Sequence, residues 1–347
     1  MSFSNYLYDI KADRHSFQMN NIDLSIVNAI RRIILSEIPV VAFYGEDEPT
    51  VDILFNSSPL HNEFMIHRIG LIPIHVTEDI TEVYNDDDYV FELNVENKEG
   101  QTINITTEHI TGTYKNNKLS KIELSKLFPP NKITKHHILI TRLRAGEHLH
   151  FKARAIKRTG QLNACFSPVS LSNFYFVQDE TEANTKDNVL DKEISYYKNE
   201  YGDPTKINFQ IESLNGLSYK YLFKKAIDII IEKLENIIIH LTNKTEISIE
   251  DVPNCPNSIN FHINNEDDTI GNLIQSLIHN KYIRNSTDNQ CSYIGYICPH
   301  PLINKLIIRI TLENTTNKDD YYHFLITNCK EIIKIMDDIK NEWISFK

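Results

Sequence analysis

The sequence is short of glycine and cysteine, and each shortage excludes a class of function. With 10 glycines in 347 residues it contains no Gly-x-x-x-x-Gly-Lys-Ser/Thr loop and no dinucleotide-binding fingerprint, which excludes an enzyme that cradles nucleotide phosphates in such a loop. The His-Glu-x-x-His and Gly-x-Ser-x-Gly patterns of zinc proteases and serine hydrolases are also missing. The five cysteines are odd in number and dispersed, which argues against a disulfide framework and favours a reducing compartment. We therefore predict no catalytic site and no cofactor.

Positive charge and long apolar runs are also scarce. Lys+Arg 36 against Asp+Glu 47 gives a net charge of −11, which argues against a protein that chiefly grips nucleic-acid phosphates. No stretch approaches the ~20 apolar residues that span a bilayer, and residues 1–13 lack the apolar core of a signal peptide. We expect an intracellular protein with no membrane partner.

Two helical segments resemble each other at a constant offset. Residues 23–34 read Asp-Leu-Ser-Ile-Val-Asn-Ala-Ile-Arg-Arg-Ile-Ile, and residues 267–278 read Asp-Asp-Thr-Ile-Gly-Asn-Leu-Ile-Gln-Ser-Leu-Ile. The offset, 267 − 23 = 244, aligns the two capping Asp residues with each other, a Ser with a Thr, and Ile and Asn residues with identical residues. The repeat predicts one structural unit present twice, with the two apolar helix faces buried against each other as an internal pseudo-dimer. The alternative is a chance match between two amphipathic helices in an Ile- and Asn-rich chain.

Further periodic segments complete the predicted fold. Residues 219–241 and 321–343 have the spacing of long amphipathic helices, and short β-rich runs lie between them and the repeats. We predict an α+β fold: two strand-and-helix dimerisation units packed helix to helix, with a mostly β insertion in the first unit. The predicted ranges are 1–44 and 205–245 for the first unit, 45–178 for the insertion, 179–204 for a polar loop and 246–347 for the second unit. The residues predicted to line the contact between the units are Ile30, Ile34, Leu273, Ile274, Leu277, Leu325, Ile332, Met336, Ile339 and Trp343.

Four motifs carry a resemblance to a known family. Residues 28–39, Asn-Ala-Ile-Arg-Arg-Ile-Ile-Leu-Ser-Glu-Ile-Pro, and residues 63–73, Glu-Phe-Met-Ile-His-Arg-Ile-Gly-Leu-Ile-Pro, resemble two signatures of the α-like subunits of cellular RNA polymerases. Residues 266–274, Glu-Asp-Asp-Thr-Ile-Gly-Asn-Leu-Ile, resemble the first helix of the eleventh subunit of RNA polymerase II, and residues 298–301, Cys-Pro-His-Pro, resemble its strand-to-turn region. The chain therefore resembles a third-subunit-like part, up to about residue 245, fused to an eleventh-subunit-like part, as in large nucleocytoplasmic DNA viruses.

The resemblance implies a non-catalytic assembly platform of a DNA-directed RNA polymerase. In the family the dimer docks the second-largest subunit first and the largest afterwards, with small zinc-binding subunits nearby. Motif matching places the following residues on, or in support of, the surface that faces the second-largest subunit: Arg31, Arg32, Glu37, Pro39, His67, Arg68, Gly70 and Pro73. Eukaryotic third subunits often carry a four-cysteine zinc loop, but no cysteine precedes Cys165 here, so we expect no metal.

The resemblance also implies which contacts and compartments to expect. The chain is expected not to form a homo-oligomer, and to meet DNA and RNA only indirectly through the complex. The implied compartment is the host cytoplasm, within a viral factory, or the virion if the protein is viral. The nucleus is the alternative.

A basic cluster supports an alternative function. A nucleic-acid-binding adaptor would use the cationic residues between 142 and 158, but no aromatic residues interleave with them as stacking platforms, so subunit docking is favoured. The cluster consists of Arg142, Arg144, Lys152, Arg154, Lys157 and Arg158.

Other polar clusters are interpreted as structural. Cys291, Cys298 and His300 lack the fourth ligand that a zinc site needs, and His148 and His150 are interpreted as exposed strand residues. The acidic runs 46–48 and 86–88 are interpreted as solvated loops rather than magnesium ligands.

Overall fold

A computed structural model describes residues 1–284, 290–300, 302–313, 315 and 317–346. Pro301, the last residue of one motif, lies outside these ranges. The strands, in chain order, are β1 (Ser2–Asp9), β2 (Arg14–Asn20), β3 (Val40–Ala42), β4 (Val51–Asn56), β5 (Tyr89–Glu96), β6 (Ile103–Thr106), β7 (Thr111–Tyr114), β8 (Asn117–Lys118), β9 (Leu139–Leu143), β10 (His148–Arg154), β11 (Ile156–Arg158), β12 (Val169–Phe176), β13 (Lys206–Ser213), β14 (Ser248–Asp251), β15 (Ser258–Asn264), β16 (Cys291–Ile297) and β17 (Lys305–Leu312). The helices are α1 (Leu24–Ser36), α2 (Asn62–Gly70), α3 (Glu78–Val83), α4 (Lys121–Leu127), α5 (Glu180–Ala183), α6 (Val189–Glu193), α7 (Tyr219–Asn243), α8 (Asp268–His279) and α9 (Lys318–Ser345). Within the described ranges, no helix is both long and apolar enough to cross a bilayer.

The first unit is an antiparallel sheet with two helices on it. Its strand order is β1-β2-β13-β12, and α1 and α7 lie against β12 and β13. Ile207, Phe209 and Ile211 of β13 are buried at every second position, because alternate side chains of a strand point to the same face. The sheet therefore presents an apolar face that only packed helices can cover.

The second unit repeats this arrangement. Its antiparallel sheet has the order β14-β15-β17-β16, and α8 packs on β16 and β17. Leu306, Ile308 and Ile310 of β17 show the same alternate burial. The helices of the two units pack on each other, α1 on α8 and α7 on α9, so one hydrophobic core runs from Phe17 to Trp343. The predicted α+β pseudo-dimer is confirmed.

The insertion has a hydrophobic core of its own, made of buried residues between Val41 and Ala155. It contains a sheet in the order β4-β10-β5-β7-β8, together with α2, α3 and α4. The predicted range 45–178 also included β12, but β12 pairs with β13 of the first unit and packs on α1. The sequence around β12 shows a strand but not its partner, because pairing with a strand 30 residues away depends on tertiary contacts.

The segment predicted as a polar loop, 179–204, contains two short helices. Asp179 and Asn188 cap α5 and α6 with their side chains, which explains why these helices begin where they do. Further along, Asp203 forms an ion pair with Arg284 at 2.7 Å, which joins this segment to the second unit. The ring centroid of Tyr196 lies 4.9 Å from that of Phe176 in β12, so the segment also contacts the first unit.

Candidate docking surface and contacts between the units

The first helix of each unit begins at an aspartate cap that the other unit contacts. Asp23 and Asp267 each accept a hydrogen bond of 2.8 Å from the backbone N–H two residues on, so α1 and α8 begin at equivalent positions. The end of each helix lies beside the start of the other. Asn280 Nδ2 donates to Asp23 Oδ2 at 2.8 Å, and Arg32 Nη2 donates to Asp267 Oδ2 at 3.0 Å. The two repeats therefore meet with approximate twofold symmetry.

Arg32, which motif matching placed at the docking surface, binds the second unit of its own chain. Besides the contact with Asp267, its Nε donates to Thr269 Oγ1 at 2.8 Å. Burial opposes ionisation of Asp267, but hydrogen bonds from Thr269 and the charge of Arg32 outweigh it and lower the pKa of that carboxyl. The guanidinium is therefore held at the contact between the two units, where it is only partly buried.

Glu37 also takes part in a contact between the units. Lys233 of α7 lies 3.0 Å from Glu37 and 3.0 Å from Glu266, and the three side chains are only 20%, 9% and 11% exposed, respectively. Burial opposes the charge of Lys233, but the two carboxylates outweigh it and raise the pKa of the ammonium. Burial also raises the pKa of Glu266, because Lys233 offsets this effect only in part. One ammonium is thus shared between two carboxylates.

Arg31 differs from Arg32 because it has no acidic partner among the described residues. Its Nε donates to Asn28 Oδ1 at 3.0 Å, which fixes the side chain along α1. Burial and the neighbouring Arg32 lower the pKa of the Arg31 guanidinium, although an arginine stays charged in proteins. Pro39 follows the end of α1 and is half-buried. Arg31 is therefore the cation of this motif that is available to a partner.

The second motif forms α2, which approaches the chain after β3 very closely. A Cβ on Gly70 would lie 3.1 Å from the backbone N of Gly45, and a Cβ on Gly45 would lie 3.0 Å from the carbonyl O of Ile66. Pro73 forms an isolated β-bridge with Ala42. Gly70 and Pro73 therefore position the insertion on the segment that follows α1, rather than forming an exposed surface.

Arg68 anchors α2 to β9 within the insertion. Its Nε and Nη2 donate to the backbone carbonyls of Ile140 and Leu139 at 3.1 and 3.0 Å. His67 is exposed, and no side-chain hydrogen bond involves it among the described residues. Of the two basic residues of this motif, His67 is the one that faces solvent without a partner in the chain.

Two exposed apolar residues flank His67, and the motif does not indicate them. Phe64 and Leu71 are 69% and 56% exposed, while Met65 and Ile69 are buried. The spacing 64, 67, 71 places the exposed residues on one face of α2 and the turn that follows it. The sequence shows that residues 64 and 71 are apolar, but this alone does not reveal that they are exposed. We call Phe64, His67 and Leu71 the α2 face.

Two glutamates of α3 hold the insertion against α7. Glu78 Oε1 accepts from Ser218 N at 3.1 Å and from Ser218 Oγ at 2.5 Å, and Ser218 is the cap of α7. Glu82 Oε1 accepts from Tyr221 Oη and Lys225 Nζ, both at 2.7 Å. The hydrogen bond from Lys225 lowers the pKa of Glu82. These contacts tie the insertion, which carries the α2 face, to the first unit.

Trp343 of α9 lies at the centre of the contact between α9 and the first unit. Its ring centroid is 4.3 Å from that of Phe223 and 4.6 Å from that of Phe17, and its Nε1 donates to the carbonyl of Lys220 at 3.0 Å. Leu277, predicted to line the contact, is only partly buried. The other predicted contact residues are buried in the shared core: Ile30, Ile34, Leu273, Ile274, Leu325, Ile332, Met336 and Ile339.

The basic cluster lies beside the acidic run 86–88, although the two are far apart in the sequence. Arg154 pairs with Asp87 at 3.3 Å, and Arg158 pairs with Asp86 at 2.8 Å. These carboxylates offset two of the cations that a phosphate backbone would need. The nucleic-acid-binding adaptor is therefore not favoured.

The remaining polar candidates are used in contacts within the chain. His148 Nε2 lies 2.7 Å from Asn94 Oδ1, and His150 Nε2 lies 2.7 Å from Glu92 Oε1 on the neighbouring strand β5. In the part of the chain that the structure describes, no three His, Cys, Asp or Glu side chains come together in a way that would hold a metal ion.

Comparison with known families gives two matches. A family model described as the RNA polymerase Rpb3/Rpb11 dimerisation domain matches residues 16–234, and a second model with the same description matches residues 258–342. The first match spans the first unit with its insertion, and the second lies within the second unit. Together they confirm the resemblance inferred from the motifs.

Similar proteins are subunits of DNA-directed RNA polymerases. Subunit 3 of polymerases II, IV and V from Arabidopsis thaliana is 27% identical over 185 residues, covering 49% of this chain and 56% of its own length. Subunit RPAC1 of polymerases I and III from Homo sapiens is 30% identical over 183 residues, covering 48% of this chain and 51% of its own length. The chain thus spans about half the length of these relatives. The Saccharomyces cerevisiae RPAC1 is 25% identical over 287 residues, covering 65% of this chain and 84% of its own length.

Proposed function

This chain belongs to the family defined by the RNA polymerase Rpb3/Rpb11 dimerisation domain, and from that premise we propose that it is a non-catalytic assembly platform of a multisubunit DNA-directed RNA polymerase. The observation that carries the proposal is the presence of two such domains in one chain, packed helix to helix through a shared core. A pseudo-dimer of this kind offers a rigid surface on which larger subunits assemble.

The proposed docking surface combines the α2 face with Arg31. Phe64 and Leu71 supply exposed apolar area on either side of His67, and Arg31 supplies a cation without an acidic partner among the described residues. Aromatic and arginine side chains are the types that most often dominate protein interfaces. We assign this surface to the second-largest polymerase subunit.

The other residues of the two motifs are proposed to support this surface indirectly. Arg32 holds the two units together, Glu37 pairs with Lys233, which reaches Glu266 of the second unit, and Arg68 fixes α2 to β9. Gly70 and Pro73 set the distance between α2 and the segment that follows α1, where Pro39 lies. A change at these positions would therefore alter docking by moving the surface.

We propose that the largest subunit and small zinc-binding subunits join the same complex, and that the chain meets DNA and RNA only through it. It would then be located wherever that polymerase is found. The host cytoplasm, a virion and the nucleus are the three candidate compartments.

The test is co-purification of the large subunits with tagged variants from the native source. Phe64→Asp combined with Leu71→Asp is expected to reduce their recovery at least ~10-fold, because two charges would replace the apolar contact. Arg31→Glu is expected to act in the same direction, whereas Arg32 is unsuitable because its loss would disturb the pseudo-dimer itself.

The matched control is Ile122→Asp, at a residue that is 70% exposed on α4 of the same insertion. It should leave recovery unchanged, and circular dichroism should show that all variants are folded. Normal recovery with folded Phe64→Asp/Leu71→Asp would contradict the assignment of the surface. A tagged wild-type chain without any large subunit would contradict the platform itself.

A further inference from the structure

The charges at the junction between α1, α7 and the start of α8 are divided unevenly between the units. The first unit contributes the cations Arg32 and Lys233 and the anion Glu37, and the second unit contributes the anions Glu266 and Asp267. We propose that these charges select the pairing, so that the second unit accepts the first unit and rejects another copy of itself. This inference does not depend on the proposed polymerase function.

The repeat shows what a pair of second units would lack. The offset of 244 places Ser276 where Arg32 stands (32 + 244 = 276). Counted from the caps of the long helices, Ser218 and Asn317, Ile332 stands where Lys233 does (233 − 218 = 332 − 317 = 15). Neither counterpart carries a charge.

The twofold relation behind this count is visible in the contacts between α7 and α9. The indole of Trp343 contacts Lys220, and Lys244 pairs with Asp319 at 2.6 Å. The caps of the two helices are 317 − 218 = 99 residues apart, and with this offset residue 220 corresponds to residue 319 and residue 244 to residue 343. The twofold relation therefore converts the Lys220–Trp343 contact into the Lys244–Asp319 contact. The cap-based alignment of α7 and α9 therefore follows the structure.

In a pair of second units, the carboxylates of Glu266 and Asp267 would face Ser276 and Ile332 from both sides. Lys281 takes the position of Glu37 (37 + 244 = 281), but it pairs with Glu331 of α9 at 2.6 Å. Carboxylates buried in an interface without a compensating cation oppose association and reject the wrong partner.

These charges disfavour a pair of second units but not a pair of first units. In a pair of first units, Asp23 would take the place of Asp267 and Ile22 that of Glu266 (267 − 244 = 23 and 266 − 244 = 22). Lys233 would keep Glu37 as its partner, and Arg32 would find Asp23. The second unit is therefore the member of the pair that depends on its partner for charge compensation.

Burial makes Lys233 and Glu266 the decisive pair. Both side chains are at most 20% exposed, so solvent screens their interaction little. The Arg32–Asp267 pair, at 38% exposure on both sides, contributes less and also involves a helix cap. We therefore place the test at Lys233 and Glu266.

The test exchanges the two charges in the full-length chain. Lys233→Glu and Glu266→Lys should each lower the equilibrium constant for folding roughly 10- to 100-fold, because each leaves like charges buried together. The double variant restores one cation between two carboxylates, with Glu37 and residue 233 now flanking the ammonium at 266, and should recover most of the stability. A double variant no more stable than the worse single variant would overturn the proposal.

Lys244→Glu is the matched control, since Lys244 and Asp319 form an exposed ion pair between the same two long helices. Exposed pairs contribute little, so this variant should change the folding equilibrium less than about 5-fold. A loss as large as that of Lys233→Glu would show that any charge reversal on α7 is harmful, and would overturn the assignment to the buried pair.

Co-expression tests the selection of partners directly. One tagged chain carries Lys233→Glu and the other, with a different tag, carries Glu266→Lys. Within either chain, residues 233 and 266 have the same charge, but when the two chains exchange units these residues have opposite charges again. Native mass spectrometry should detect a dimer of the two variants formed by exchange of units, and no such dimer between two tagged wild-type chains. Recovery of only separate chains from the variant pair would overturn the selection between copies.

Discussion

Truncation of Trp343 should remove the largest single contribution to the contact between α9 and the first unit. The side chain is 2% exposed and packs against Phe223 and Phe17, with the rings of Phe3 and Tyr219 at 5.0 and 5.9 Å. Trp343→Ala would therefore leave a cavity between two units rather than within one. The contact between the units, and not a single helix, would lose stability.

The expected cost follows from the size of the group removed. Replacing a buried tryptophan by alanine typically costs about 3–5 kcal/mol, and the hydrogen bond from Nε1 to Lys220 is worth about 1 kcal/mol of this. A protein with a free energy of unfolding of about 5–15 kcal/mol would lose a large fraction of it. Trp343→Phe keeps most of the ring packing and should cost about 1–2 kcal/mol.

Urea denaturation followed by circular dichroism is the appropriate assay, because the variants lack the only tryptophan of the chain. Ile344→Ala is the matched control: it is the next residue of α9, it is 60% exposed, and its change should stay within about 0.5 kcal/mol. If Trp343→Ala lowered the free energy of unfolding by less than 1 kcal/mol, the contact between the units would not depend on this packing.

Three further predictions concern the insertion. Gly70→Ala should lower the free energy of unfolding by about 1–3 kcal/mol in urea titrations, because the new Cβ would lie 3.1 Å from the backbone of Gly45. Gly100→Ala, whose new Cβ would have no atom within 4 Å, should change it by less than about 1 kcal/mol. Equal effects of the two variants would refute the close approach of α2 to Gly45. The hydrogen bond from Lys225 lowers the pKa of Glu82, so the stabilisation by this contact is present above the ordinary pKa of 4.5 and is lost as the pH falls through the lowered value. The free energy of unfolding of Glu82→Gln should therefore be lower than that of the wild type at pH 7, and the difference should disappear below pH 4.5. A difference that stays constant over this range would contradict the contact. Asp86→Asn combined with Asp87→Asn should release Arg158 and Arg154 and raise the salt concentration at which the chain elutes from a heparin column. Asp79→Asn combined with Glu108→Gln, at two exposed residues outside this cluster, removes the same number of charges and should shift the elution less. An equal shift in both double variants would attribute the effect to net charge alone.

The helices of the pseudo-dimer were predictable because their signals are local. The caps Asp23 and Asp267 and the apolar spacing that follows them define α1 and α8 within a dozen residues. The apolar stripe of α9 likewise gave its buried face, including Trp343. In each case the residues that determine the helix and its buried face lie within a few helical turns of one another.

What could not be predicted depends on contacts between distant residues. Arg32 lies 235 residues from Asp267, so the motif could show its importance but not that it binds within the chain. The strand β12 has an ordinary strand pattern, and only the packed structure assigns it to the sheet of the first unit. The exposure of Phe64 was equally hidden, because an apolar residue on a helix is usually buried.

The two units are joined covalently by the few residues between the end of α7 and the start of β14. Closing the contact between them is therefore a unimolecular step, with a rate and an equilibrium that do not change with protein concentration. The same contact between separate chains would be second order and would be lost on dilution. We expect the midpoint of thermal unfolding to be the same at nanomolar and micromolar protein, so the platform stays closed even where the protein is scarce.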